Sequence, residues 1–264
     1  MNEDLAIRTQ AIAEKMTNVY IKGYNKGKAE GGDSDELIAM FTTALQKKSA
    51  ANNNQKTSSY NFAFSQSSID DETMSKVIAN WDTSYTISQA ISMFSNTPNV
   101  SEALYTDKLD FSNCASLLAV FLGSNVKKLK VIDARKTIAG HNGMSTMFHS
   151  CKQLESIDEF YPSTGTNKTG FNTTFEWCYA LTHIRFMSEI AQSGLNLSYS
   201  PLDKESIKSC INQLSSTTTG LKVTLSLSAV NKAFETVTGA NDGSTSEVWN
   251  LLIATKTNWT INLV

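Results

Sequence analysis

The 264-residue chain has no C-x-x-C pair, no long apolar run and no large excess of charge of either sign. Each absence excludes something. The four cysteines, Cys114, Cys151, Cys178 and Cys210, stand far apart, and in a chain of this length they do not make a disulfide scaffold. No stretch approaches the roughly 20 apolar residues that cross a bilayer, so membrane insertion is not expected. The first residues, MNEDLAIRTQ, are acidic and lack the apolar core of a secretory signal. Without a secretory route, the N-x-S/T sequons at Asn167 and Asn172 are expected to be incidental. A net charge of −2 leaves no footprint for nucleic acid or an anionic lipid surface. Charged residues make up 18%, below the usual share; serine, threonine and asparagine take their place, which favours strands and polar turns. What is present suffices for a core: 41% of residues are hydrophobic and 9% aromatic, in a length that fits one elongated domain or two small ones.

The N-terminal part reads as helix. Leu5, Thr9, Ile12, Met16, Val19 and Gly23 alternate steps of four and three, a heptad seam with Thr9 and Gly23 as poor occupants. Leu5, Ile12, Met16 and Val19 are the candidate oligomerisation residues. Glycines in GYNKGKAEGGDSDE end the seam. Asp33 and Glu36 then form a capping box for a second helix of about residues 34–48, with Leu37, Met40, Phe41, Ala44 and Leu45 on its apolar face. KKSAANNNQKTSS has no periodicity and reads as a linker or exposed loop. The expected organisation is a helical attachment or oligomerisation segment over 1–48, a polar linker over 49–59 and a repeat region over 60–264.

From Tyr60 the pattern changes. Phe94, Phe121, Phe148 and Phe175 follow one another at 27 residues, the mark of a repeat architecture. One residue before them come Met93, Val120, Met147 and Thr174, and four before come Ala90, Leu117, Met144 and Phe171. That spacing predicts three apolar side chains on one face of a short helix or helical turn. Three residues after come Thr97, Ser124, Cys151 and Cys178; six after, Val100, Leu154 and Leu181; nine after, Ala103, Ile157 and Ile184. The second unit reads as two residues longer, moving its equivalents to Leu129 and to Val131 or Ile132. Segments opening with Asp82, Asp110, Asp133 and Asp158 supply turn chemistry. The predicted unit is turn, short helix and short strand, repeated over about 82–186. Longer strand-helix units follow over 187–264: strands in GLNLSYS, LKVTLS and NWTINLV, and helices in SPLDKESIKSCINQL (Ser200 as cap, Pro201 first), SAVNKAFE and GSTSEVWNLLIATK (capped by Ser244 and Glu247). Strand and helix alternating at short intervals imply an α/β fold with a parallel sheet, whose small units must stack to bury their faces.

The segment [M/V]-F-x-x-C-x-x-L-x-x-I resembles leucine-rich repeats of the BspA-like type. IAEKMTNVYIKGYNKGKAEGG, NQKTSSYNFAF with DDETM, PLDKESIKSCINQLS and NWTINLV resemble the leader, pre-repeat and C-terminal segments of a group of repeat proteins encoded in phages and prophages of gut Firmicutes. The resemblance covers nearly the whole chain. It implies a leucine-rich-repeat solenoid, with short parallel strands on one face and short helices or turns on the other, and a setting near virion genes. Varying helix lengths and the long stretch DEFYPSTGTNKTG depart from a regular array.

Reactive chemistry is sparse. The histidines are His141, His149 and His183. His149 lies two residues from Cys151, but Cys151 and Cys178 share an inward position of successive units and the histidines do not, unlike a convergent zinc set. The cysteines are expected as buried free thiols, although a bridge between neighbouring turns is geometrically possible. GYNKGKA lacks the spacing of a phosphate loop, and DSDE and IDDE lack that of a calcium loop. Trp81, Trp177, Trp249 and Trp259 suit either a binding surface or packing, and packing is favoured. The expected repeat core is Phe94, Phe121, Phe148, Phe175, Cys151, Cys178, Leu154, Leu181, Ile157 and Ile184.

The expectation is a non-enzymatic binding or structural protein without catalytic residues, cofactor or metal. Its setting would be a phage or prophage tail or baseplate, or the cytoplasm if the chain is not phage-encoded. Partners would be a protein or cell-surface glycan, other virion proteins and further copies of the chain through the N-terminal helix. The alternatives are a phage tail-associated cell-wall hydrolase, which needs convergent carboxylates or a nucleophile with its base, and a bacterial surface adhesin.

Overall fold

The computed structural model describes residues 34–51, 57–61, 63–67, 69–83, 86–98, 108–137, 143–164, 170–171, 173–235 and 246–264. The heptad residues Leu5, Ile12, Met16 and Val19, the cap Asp33, and Val100, Ala103, His141, Asn167, Asn172 and Ser244 lie outside them. The fold is α/β. Its helices are α1 (Ser34–Ala51), α2 (Asp71–Ala79), α3 (Lys204–Gln213), α4 (Leu227–Phe234) and α5 (Glu247–Ile253). Its strands are β1 (Thr57–Ser59), β2 (Thr86–Gln89), β3 (Lys128–Asp133), β4 (Ser156–Tyr161), β5 (His183–Phe186), β6 (Leu195–Leu197), β7 (Leu221–Leu225) and β8 (Trp259–Leu263). Every strand pair is parallel: β1 with β2, then β3-β4-β5, then β6-β7-β8.

Caps fix where the helices begin. Asp70 accepts from the Thr73 amide at 2.8 Å ahead of α2, whose first turn carries Asp71 and Glu72 and whose last carries Lys76, matching the helix dipole. Ahead of α3 the cap is Asp203, not Ser200: the carboxylate accepts from the Ser206 amide at 2.7 Å. The Ser200 hydroxyl instead donates to the Cys178 carbonyl, and Pro201 stays outside the helix. Ser226 caps α4 and Ser246 caps α5, so Glu247 opens α5 rather than closing a capping box with Ser244.

Helix α1 runs to Ala51, and β1 lies inside the polar stretch expected as a linker. Its buried positions are Ile38, Thr42, Leu45 and Gln46, whereas Met40, expected on the apolar face, is 63% exposed. The Gln46 side chain donates to the Asp82 carbonyl at 3.0 Å and accepts from the Asp82 amide at 3.1 Å. Buried glutamine thus replaces apolar packing there, because it satisfies both backbone groups of Asp82.

In place of the expected short helix before each phenylalanine, the chain runs as consecutive turns. Ser92, Ala119, Thr146 and Thr173 have φ of 52–54°, and Asn96, Gly123, Ser150 and Trp177 have φ of 52–65°. A left-handed residue every fourth position reverses the chain before a helical turn can close. The amides alternate in direction. Met93 and Ser95 donate back to Ala90 and Ser92, while Ser92, Phe94 and Asn96 donate to Leu118, Val120 and Leu122, each 26 residues ahead. The same offset recurs from Ala119 to Ser145, Phe121 to Met147, Phe148 to Thr174 and Ser150 to Glu176. A helix would spend these amides internally; here half of them join one unit to the next.

The phenylalanines behind these turns stack. Phe64, Phe94, Phe121, Phe148 and Phe175 form successive pairs at 5.3, 5.5, 5.6 and 5.3 Å with interplanar angles of 24° or less. Phe160 of β4 meets Phe148 and Phe175 edge-on, at 6.2 and 5.7 Å, closing the space between strands and turns. Leu129, Ile157 and Ile184 are register partners across β3, β4 and β5. Leu129 therefore matches Ile157 at the strand position, and buried Val126 stands where Leu154 does. The second unit is one residue shorter than the third between phenylalanine and strand, not two longer. Asp110 and Asp133 make the expected side-chain turns, accepting from the amides of Ser112 and Arg135. Asp158 does not: it lies within β4. One buried cluster runs from Ile38 to Ile261.

Candidate binding surface

Cys151 and Cys178 are buried among the inward positions with Phe94, Phe121, Phe148, Phe175, Leu154, Leu181, Ile157 and Ile184. Their thiols donate to the carbonyls of Phe121 and Phe148, at 2.9 and 3.1 Å. Thr97, in the same column, donates to the Phe94 carbonyl at 2.8 Å and to Ser124 Oγ at 3.2 Å. A small donor behind each ring is thus the common requirement at this position. All four cysteines are free and buried. Burial pushes the thiols of Cys114, Cys178 and Cys210 up to about 12, and that of Cys151 well above its ordinary value. A nucleophile needs the opposite shift.

The histidines separate. His149, expected to face outward, is half-buried: its ring packs on Trp177 at 4.7 Å. Its Nε2 lies 3.5 Å from the Glu176 carboxylate and its Nδ1 3.0 Å from Ser150 Oγ. His183 Nδ1 lies 2.9 Å from Asp203 Oδ2, beside an open groove of about 390 Å³ between β5 and α3. Burial works to raise the Asp203 carboxyl, but hydrogen bonds from His183 and Ser206 outweigh it and hold it below the usual carboxylate range. The hydroxyl nearest this dyad in sequence, Ser206, is buried and accepts the Ile184 amide at 2.9 Å. Among the described residues no three His, Cys, Asp or Glu side chains are placed to hold a metal ion.

The outward positions differ from the inward ones. Two residues after the stacked phenylalanines come Asn96, Gly123, Ser150 and Trp177; four after come Pro98, Asn125, Lys152 and Tyr179. Three of these units present small or polar groups and the fourth presents two large aromatics. Trp177 is 39% exposed and Tyr179 51% exposed. Tyr199, 37% exposed, meets Tyr179 edge-to-face at 5.8 Å. Trp81, Trp249 and Trp259 are buried, so the packing expectation fits three tryptophans and not Trp177. A tryptophan at φ 64° carries a backbone cost of about 1–2 kcal/mol that glycine avoids. Packing gives no return on that cost, because the ring faces outward.

No family model, curated protein or solved structure matches the chain. Among the described residues no helix is long and apolar enough to cross a membrane.

Proposed function

We propose that the chain is a non-catalytic binding or structural protein, built as a leucine-rich-repeat solenoid of the BspA-like type. The observation that carries this reading is the ladder of five stacked phenylalanines with its constant 26-residue amide offset. Units joined that way share one core and leave a long surface free for recognition, without any single reactive group. The reactive side chains serve structure: cysteines donate to ring-bearing residues, Ser206 holds β5, and Asp203 caps α3. The resemblance of the leader and tail to phage and prophage repeat proteins supports a virion setting, at the tail or baseplate, with a host-surface or protein ligand. Copies assembled through residues 1–33 would raise weak binding by avidity.

Native mass measurement of the whole chain and of a chain lacking residues 1–33 tests the reading, together with capture of virion proteins or host envelope. The expected result is an oligomer that the deletion reduces to monomer, with capture by the oligomer. A strict monomer in both forms that captures neither contradicts it. Clearing of host cell wall by the purified protein would favour the hydrolase.

A further inference from the structure

We infer that Trp177, Tyr179 and Tyr199 form a glycan-binding platform that stacks on the pyranose rings of a neutral oligosaccharide. The inference rests on the proposed binding role and names its surface and ligand class. Three observations converge. The first is placement: the inward positions keep their residue types from unit to unit, while the outward positions change to large aromatics at one unit alone of the four. Asn96, Gly123 and Ser150 occupy the left-handed position that Trp177 takes, so the fold itself asks for a small polar residue there.

The second is preorganisation. The Trp177 ring rests against His149, which is held in turn by Glu176 and Ser150. Tyr179 and Tyr199 fix each other edge-to-face across 20 residues of sequence. Rings already held in place lose little freedom on binding.

The third is size and charge. With their measured exposures, the three rings offer roughly 300 Å² of aromatic surface. That is well short of the ~800 Å² that each partner gives to a stable protein interface, and it suits a few sugar rings. The carboxylate at the site, Glu176, already faces His149, so the strip offers paired charge rather than the free anion an aromatic cage uses for a quaternary ammonium ion. Ring faces take the C–H side of a pyranose, and the tyrosine hydroxyls with the His149–Glu176 pair take its hydroxyls.

Trp177 is the exposed one of the four tryptophans, so its fluorescence reports the site. Maltohexaose, cellohexaose and chitohexaose, with choline as a cationic control, are titrated into the full-length protein while tryptophan emission and iodide quenching are followed. The expected result is saturable binding of at least one oligosaccharide, protection from iodide and no response to choline. Trp177→Asn, which installs the residue of the first unit, should keep or raise Tm and weaken binding at least tenfold; Tyr179→Ala should weaken it similarly. The inference is overturned if no oligosaccharide binds, if only choline binds, or if folded Trp177→Asn binds as wild type. If Trp177→Asn melts low, folded Tyr179→Ala decides, and unchanged binding overturns the inference. Failure here leaves oligomerisation and virion capture untouched, so the two readings fail separately.

Discussion

At the scale of single residues, the column behind the phenylalanines sets the chemistry. Thr97, Ser124, Cys151 and Cys178 alternate oxygen and sulfur at one position, and Thr97, Cys151 and Cys178 each donate to a phenylalanine carbonyl. Cys151→Ala should therefore cost about 1 kcal/mol, and Cys151→Ser less, because the hydroxyl keeps a donor; denaturant titration checks the order. The thiols also set a pH dependence. In the native state Cys114, Cys178 and Cys210 hold their protons to about pH 12, while in the unfolded chain thiols release theirs from about pH 8.5. The native state then binds more protons, so stability is complete below the unfolded value and falls as pH rises through 9 to 12. The loss reaches up to about 1.4 kcal/mol per pH unit per thiol, and Cys210→Ser should flatten the slope of Tm against pH. The column was legible in sequence because packing repeats residue types. The Trp177 surface was not, because a tryptophan outside the core looks in sequence like one inside it. Tyr179 and Tyr199 carried one faint signal: Tyr179 breaks the small or polar run at its column.

At the scale of elements, turn and helix compete for the same apolar spacing. Positions −4, −1 and 0 line one face of a helical turn, and they also line the inner side of two successive turns with a left-handed residue every fourth place. Serine, alanine, asparagine and threonine occupy most of those left-handed places, so glycine, the usual signal, is missing except at Gly123. There an added Cβ would come within 2.4 Å of Asn96 Oδ1. Gly123→Ala should cost about 1–2 kcal/mol, and adding Asn96→Ala should recover part of it by removing the obstructing side chain. The stacked rings predict a larger loss. Phe121, between Phe94 and Phe148, is the ladder's central member, and Phe121→Ala should cost about 3–5 kcal/mol in an equilibrium unfolding experiment. Phe64 escaped the pattern because it stands 30 residues before Phe94, not 27. The Ser200-Pro201 cap was misplaced because Asp203, closer to the helix, offers a better acceptor to Ser206.

At the scale of the whole molecule, parallel pairing and alternation of strand and helix were legible, because each unit is too short to bury its own face. The histidine and cysteine of MFHSCKQLESID belong to two environments: Cys151 is a rung of the core and His149 supports an exposed ring. The central claim is that repeated residues build the core and departures from repetition carry recognition. Pulsed alkylation of thiols followed by mass spectrometry tests its first half most directly. The account predicts no label on the folded protein at neutral pH and labels on Cys114, Cys151, Cys178 and Cys210 together once it unfolds. Rapid labelling of Cys151 or Cys178 in the folded protein would contradict it.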